Sequence, residues 1–600
     1  MDFEQYCINK GIRFNPEQRR AIERTDGPTL MISVPGSGKT TVIISRIAHM
    51  IAVNGISPDS ILTVTFSVDA AKTMRAKYTE VFEELTPDAA PEFSTVHSAA
   101  LKIVRHYHRI RGLKQGRIME NTHSVISMLI KENNEGRFSD RSVTETVNHI
   151  SKAANGMLSK DEIADISIRG IDFAEIFDKY TEYKKENNLM DFDDILAFSL
   201  SILRNNPDIL AYFQNKYIYY NVDEAQDNSL IQNRIIETLT SKHNNLFMVG
   251  DEDQCIYGFR GAYPNAFFEF SKKWGEENII KLQTNYRSDD LILQVAESFI
   301  SQNRNRYFKK LTGVQNRPGR VETVTFTDAA ERNDYISSDC IYYSTAAVIS
   351  RNNDSLISIA DSLIQKNINF SIRAGKNELF SSVITKNILK ILKVSSGMED
   401  YGDLPGYIKR MIGESRRLYE MNNMNAASAI RYLVKELNYS KILSAFFIDG
   451  YGRQGMLNKL NILTCLAEKL SITDFIIKTE NLNRVFSEGR TADNSTPAVS
   501  LLTCHASKGL EFEKVYIIDS IDRIFPNCGF FESDNTTKSM DYEEEVRLFY
   551  VALTRAEREI EILNTRQAYW GNSSPSIFVK EIRGYINGIQ QKNSYQRLRS

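Results

Sequence analysis

Long apolar runs are missing from this chain: nowhere do about 18 uninterrupted apolar residues stand together, so no segment reads as a membrane-spanning helix. Cysteine is scarce. The six present (Cys7, Cys255, Cys340, Cys465, Cys504 and Cys528) form no CxxC pair, which excludes a disulfide framework and a zinc or iron–sulfur spacing and fits a reducing compartment. Neither sign of charge prevails, since 74 Lys+Arg against 76 Asp+Glu leave a formal charge of -2. No global field therefore gathers the chain onto nucleic acid or anionic lipid, although a local basic groove remains open. Glycine and proline, at 30 and 13 positions, are too few for a collagen-like or low-complexity chain. The start, MDFEQYCINKGIRF, carries acids where a signal peptide needs a basic stretch and an apolar run, so the expected location is the cytoplasm. What is present is ordinary globular composition, 42% hydrophobic and 25% charged, over 600 residues. At roughly 150 residues per domain that suggests about four folding units.

Short β-rich apolar runs bounded by turn residues alternate with helical patterns, first between about residues 29 and 96. Residues 97–189 turn helical, rich in Lys, Glu, Asn and His, with hardly any strand signal. Strands resume with YIYYNV and LFMVG, continue through IIKLQ, RVETVTF, AAVIS and NFSI, and give way to helical patterns between about 376 and 495. AVSLLT, KVYIID and EIEIL then restore the strand pattern. Two α/β units, each interrupted by a helical insertion, account for this order.

The segment SVPGSGKTT lies between the strand TLMISV and a helical run, the context of a phosphate-binding loop. Its residues Ser33, Val34, Pro35, Gly36, Ser37, Gly38, Lys39, Thr40 and Thr41 are the candidate phosphate cradle. Glycines let backbone N–H groups turn toward phosphate oxygens, and the helix start adds its positive dipole end. Lys39 would bridge the outer phosphates and Thr40 would hold Mg²⁺; Ser33 stands where the pattern asks for glycine or alanine. Such a loop needs a carboxylate for the metal and another for the attacking water, and YIYYNVDEAQD offers Asp223 and Glu224 in those roles. Gln254, after LFMVG, could sense the γ-phosphate or orient water. Tyr286 and Arg287 follow a further strand, and Arg555 belongs to the second α/β unit. Two arginines from outside the loop-bearing core suit charge developing on a transferred phosphoryl group.

Taken together these segments resemble the UvrD/Rep/PcrA type of superfamily 1 DNA helicase, from about Phe14 to Phe578. FNPEQRRAI, LTVTFSVDAAKTMRAK, TVHS, MDFDDIL, VDEAQD, VGDEDQCIYGFRGA, LQTNYRS, LLTCHASKGLEF and EEEVRLFYVALTRAE each resemble a family motif, in the family's order. The resemblance implies two RecA-like P-loop cores with ATP between them, each interrupted by a helical insertion. It places the first core at 1–93 and 190–275 with its insertion at 94–189, and the second at 276–375 and 496–600 with its insertion at 376–495. It implies Gln18 as reader of adenine, Tyr286 as a stacking face for the base and Glu511 as the ribose contact. For DNA it implies Phe66, His97, Tyr257, Phe259, Arg260 and His505. On composition alone Phe66 and Phe259 read as core aromatics and the histidines as loop residues; the surrounding motifs reverse that reading. His106 and His108, two apart on a helix, face different ways and read as solvated rather than as metal ligands.

Two departures bear on function. Phenylalanine stands at 259 where the family usually has tryptophan, and the second insertion is short and lacks the Gly-Ile-Gly duplex-contact signature. The implied activity is ATP-dependent 3′–5′ translocation on single-stranded DNA, with Mg²⁺ as cofactor and single/double-strand junctions as substrate, in repair, replication restart or defence. A translocase that strips proteins and unwinds poorly, or an ATPase-gated subunit of a nuclease, defence or RNA polymerase-associated complex, stays open.

Overall fold

The β-branched runs become two six-stranded sheets in the computed structural model, parallel throughout. It describes residues 2–87, 89–114, 116–133, 140–315, 317–373, 378–413, 416–436, 452–488, 499–522, 524–527, 540–568 and 571–597. The first sheet holds β1 Thr29–Ser33, β2 Ile61–Thr65, β3 Glu92–Thr95, β4 Tyr219–Val222, β5 Leu246–Gly250 and β6 Ile279–Leu282. Their spatial order is β3-β2-β4-β5-β1-β6. The second holds β7 Arg320–Phe326, β8 Ala346–Ser350, β9 Phe370–Arg373, β10 Val499–Thr503, β11 Phe512–Ile517 and β12 Ala556–Thr565, ordered β7-β12-β11-β8-β10-β9.

Parallel strands need crossovers, and the helices that make them cover both sheet faces, which is why the strands read as unbroken apolar runs. Every residue of β1, β2 and β5 is buried. Alternation then splits the core in two: Leu30 and Ile32 pack with Val96, Ile103 and Ile195, whereas Met31 packs with Ile43, Ile47 and Phe247. At roughly 1.5–3 kcal/mol for each fully buried large aliphatic side chain, these faces are the main stabilisation of the sheet.

Contacts divide the chain into two units, Met1–Tyr286 with Asn305–Val314, and Arg287–Arg304 with Gln315–Ser600. In the first, the helices Thr122–Asn133, Asp140–Gly156 and Phe173–Glu186 enclose a separate core around Ile126, Ile150, Ile176 and Tyr180. In the second, Ile388, Ile391, Ile430, Leu433, Leu463 and Phe475 build a helical core that also takes Ile357.

Two details differ from the pattern read in the sequence. Two-residue strands, Arg117–Ile118 and Leu189–Met190, pair within the helical stretch; they are too short to carry a periodicity. The run IIKLQ, beyond the boundary at 275/276, supplies β6, which pairs with β1 in the first sheet. An apolar run announces a strand but not which sheet receives it. The boundaries at 375/376 and 495/496 lie outside the described residues. Cys7, Cys255, Cys340, Cys465 and Cys504 are free thiols, and Cys528 lies outside the described residues. No helix among the described residues is long and apolar enough to cross a membrane.

Candidate nucleotide and nucleic-acid sites

In a parallel α/β sheet, ligand residues gather beyond the carboxyl ends of the strands. The phosphate loop leaves β1, Asp223 and Glu224 follow β4, Gln254 lies just past β5 and Tyr286 past β6, so four neighbouring strands present the predicted nucleotide residues. Phe66 and His97 follow β2 and β3, on the other half of the same sheet edge.

The loop between β1 and the helix Lys39–Ala52 bends at Gly36 and Gly38, with φ of 66° and 81°. Gly38 is the helix N-cap, and a β-carbon there would sit 3.1 Å from Gln18 Nε2, so a side chain meets both an unfavourable φ and a close neighbour. Adjacent strands hold the loop: Val34 N donates to Leu282 O at 3.0 Å and buried Asn285 donates from Nδ2 to Pro35 O at 2.6 Å. Ser33, the departure from the usual pattern, donates from Oγ to Gly250 O at 3.0 Å and so ties β1 to β5.

Gln18 opens the helix Pro16–Glu23 in a capping box with Asn15. Its Oε1 accepts from Asn15 N and its Nε2 donates to Ser37 O, both at 3.0 Å. A primary amide has two N–H groups and two lone pairs, so each end keeps capacity for a base edge. Tyr286 N donates to Gly36 O at 2.9 Å, and its hydroxyl accepts from Asn15 Nδ2 at 3.0 Å. Gln18, Asn15 and Tyr286 therefore meet beside the loop. Sequence reading missed Asn15, whose signal was the N-cap position before Pro16.

Lys39 Nζ lies 3.2 Å from Glu224 Oε1. Glu224 has φ 49° and ψ 42°, a left-handed conformation that costs a residue with a β-carbon about 1–2 kcal/mol. Gln226 Nε2 donates to Glu224 Oε2, and Gln226 Oε1 accepts from Asp251 N at 3.0 Å. Asp251 Oδ2 in turn accepts from Gln254 Nε2 at 2.7 Å. Gln226 and Asp251 thus join the two predicted catalytic side chains, a link that motif reading alone did not give. Thr40 sits in the first helical turn, half-buried, and Asp223 is buried at the end of β4 with its N–H donating to Val64 O at 2.9 Å.

The second unit carries Arg287, Glu511 and Arg555. Arg287 Nε donates to Glu511 Oε2 at 2.8 Å and Nη1 to Thr554 O at 3.0 Å. Arg555 is only 1% exposed, and its guanidinium donates to Val551 O at 2.8 Å, Leu510 O at 3.3 Å and Thr554 Oγ1 at 2.9 Å. These residues sit at the amino ends of β11 and β12, whereas His505, on the short helix Cys504–Ser507, follows the carboxyl end of β10.

The aromatic candidates of the first unit form one surface. Phe66 and Tyr257 stack at 4.8 Å with planes 16° apart, and Arg260 lies 5.7 Å from the Tyr257 ring and 5.5 Å from that of Phe259. Phe66 and Phe259 are 36% and 44% exposed, too open for core residues. His97 is held below the usual imidazole range by burial and meets the Phe192 ring edge-on at 6.4 Å. Phe192, 59% exposed and edge-on to His97, stands inside MDFDDIL and was not singled out in the sequence. Stacked rings beside an arginine can hold successive bases of any sequence.

Comparison with known proteins gives the same direction. Residues 14–275 match the family model of the UvrD/REP helicase N-terminal domain. Residues 280–412 and 397–567 match that of the UvrD-like helicase C-terminal domain. The chain is 28% identical over 641 residues to the ATP-dependent DNA helicase PcrA of Staphylococcus epidermidis, covering 95% of this chain and 86% of that protein. It is 28% identical over 644 residues to the ATP-dependent DNA helicase PcrA of Bacillus subtilis, with 95% and 85% covered.

Proposed function

We propose, because this chain belongs to the UvrD/REP helicase family, that it moves 3′ to 5′ along single-stranded DNA and opens single/double-strand junctions in the cytoplasm. It is an ATP-dependent DNA helicase of the PcrA/UvrD type and hydrolyses ATP. The observation that carries the site reading is the Lys39–Glu224 pair, 3.2 Å apart across the mouth of the phosphate loop. Lys39 and the loop N–H groups hold the phosphates, Glu224 takes the proton of the attacking water, and Gln254 senses the γ-phosphate. Thr40 and Asp223 offer the hard oxygen donors that Mg²⁺ prefers, and the ion would supply charge neutralisation on the phosphates. Residues 94–189 and 376–495 serve in this reading as the insertions of the two cores.

Gln18 can match adenine's N6 donor and N7 acceptor, whereas guanine turns an acceptor toward it at the exocyclic position. ATP should therefore be preferred over GTP, and Gln18→Ala should narrow that preference by about tenfold, the worth of roughly one hydrogen bond. Competition binding with the two nucleotides checks this; undiminished discrimination in the variant would remove Gln18 as the reader.

Arg287 and Arg555 are proposed to meet the charge that develops on the transferred phosphoryl group, and to do so Arg555 exchanges its carbonyl partners for the nucleotide. Each alanine variant should lose turnover by about tenfold or more while ATP affinity changes less. Single-stranded DNA should stimulate the parent strongly, and less so as salt rises, because phosphate contacts release counterions. Equal ATPase rates with and without DNA across a salt series would count against the coupling. Phe259 in place of tryptophan, and the short second insertion, favour as a second reading a translocase that displaces proteins better than it unwinds.

A further inference from the structure

Beyond β5 the chain places three acids in succession, Asp251, Glu252 and Asp253, and buries them to 0%, 2% and 1% exposure. Uncompensated carboxylates are not tolerated at such depth. The compensation comes from residues 305–314, a piece of the first unit that follows the second-unit segment Arg287–Arg304. Lys309, itself 1% exposed, sits 2.5 Å from Asp251 Oδ1, 2.8 Å from Glu252 Oε2 and 3.0 Å from Asp253 Oδ2. Arg306 forks onto Asp253, at 3.0 and 2.8 Å. Tyr307 N donates to Glu252 Oε1 at 2.8 Å. Burial first, and then the charges of Asp253 and Asp251, push Glu252 up to about 7 against the pull of Lys309.

Asp251 is the member with a second task. Its other carboxylate oxygen holds Gln254, and its N–H holds Gln226, which holds Glu224. We propose that Lys309 is a positioning residue for ATP hydrolysis: by clamping Asp251 Oδ1 it fixes the carboxylate plane from which Gln254 hangs and the turn that sets Gln226 against Glu224. Arg306 contributes its charge to the same cluster through Asp253. The inference rests on the site reading given above for Glu224 and Gln254. Misplacing a reacting group by about 1 Å can cost on the order of a hundredfold in rate, so the loss of one such clamp is expected to be visible in turnover.

The test compares Lys309→Met with Arg306→Leu in the full chain, each removing one cation from the acid cluster. Lys309→Met is expected to lower kcat at saturating ATP and single-stranded DNA by about tenfold or more, while affinity for a fluorescent ATP analogue stays within about twofold. Arg306→Leu is expected to keep kcat within about twofold even where its melting temperature falls as far. Should Lys309→Met fail to fold, Lys309→Met with Glu252→Gln removes one charge of each sign and is read the same way. Equal losses of kcat in the Lys309 and Arg306 variants, tracking stability, would overturn the proposal, and so would failure of the compensated pair to fold. Glu224→Gln in the same series separates the causes. If it too hydrolyses normally, the site reading has failed; if it is inactive while Lys309→Met is normal, only the clamp has failed.

Discussion

Glu224→Gln should leave ATP and Mg²⁺ bound while hydrolysis falls by about a hundredfold or more, because a positioned general base is worth roughly 10²–10⁴ in rate. The substitution is nearly isosteric and keeps an oxygen to accept from Gln226 Nε2, so the left-handed turn at 224 has no new reason to move. What disappears is the carboxylate that takes the proton, together with the negative partner of Lys39 at 3.2 Å. Lys39 then faces the phosphates without a competing carboxylate, which favours retained binding. Lys39→Ala should behave differently, weakening nucleotide binding as well as turnover. The measurement is steady-state hydrolysis with saturating single-stranded DNA beside direct nucleotide binding; near-normal turnover in the Glu224 variant would sink the assignment.

Direction of travel is the second large effect, because it is close to all or none. A duplex with a 3′ single-stranded tail is expected to open, and one with only a 5′ tail is not. Displacement of streptavidin should be rapid from a biotinylated 5′ end, the end toward which a 3′–5′ walker moves. Phe259→Ala should slow both activities, since its exposed ring belongs to the surface with Tyr257 and Phe66, and such a stacking contact is worth about 1–3 kcal/mol per base. The short second insertion leads to weak unaided opening of long duplexes. Faster displacement from the 3′ end would overturn the polarity, whereas efficient opening of long duplexes would refute only the inference from the insertion.

Much of this was legible in the sequence for identifiable reasons. A phosphate loop announces itself because glycine is needed where backbone φ turns positive, and parallel strands announce themselves as apolar runs because both their faces are covered. Side-chain partnerships across long separations leave no such trace. Lys309 lies in KKLT, a stretch with no periodicity, and nothing local says that it ends beneath three acids. Arg555 is visible as an arginine after a helix, yet its burial against the carbonyls of Val551 and Leu510 depends on the fold. Phe192 sat inside a motif already read, but the apolar-inside expectation assigned no role to an aromatic ring that is mostly exposed. β6 shows the same limit at the level of topology, since pairing partners are chosen by the whole sheet.

The return of residues 305–314 to the first unit also fixes an order of events during synthesis. A ribosome that has released the chain through Tyr286 has delivered all six strands of the first sheet, yet neither Arg306 nor Lys309. Until those two emerge, Asp251, Glu252 and Asp253 have neither cation, and burying them ionised costs several kcal/mol per ion. The acid-bearing turn must therefore stay hydrated, or bind its protons, while the helix Asp290–Ile300 of the other unit is being made. The first unit is completed after the second has begun, and a message broken between the codons for 286 and 306 yields a first sheet whose three acids lack both of their cations.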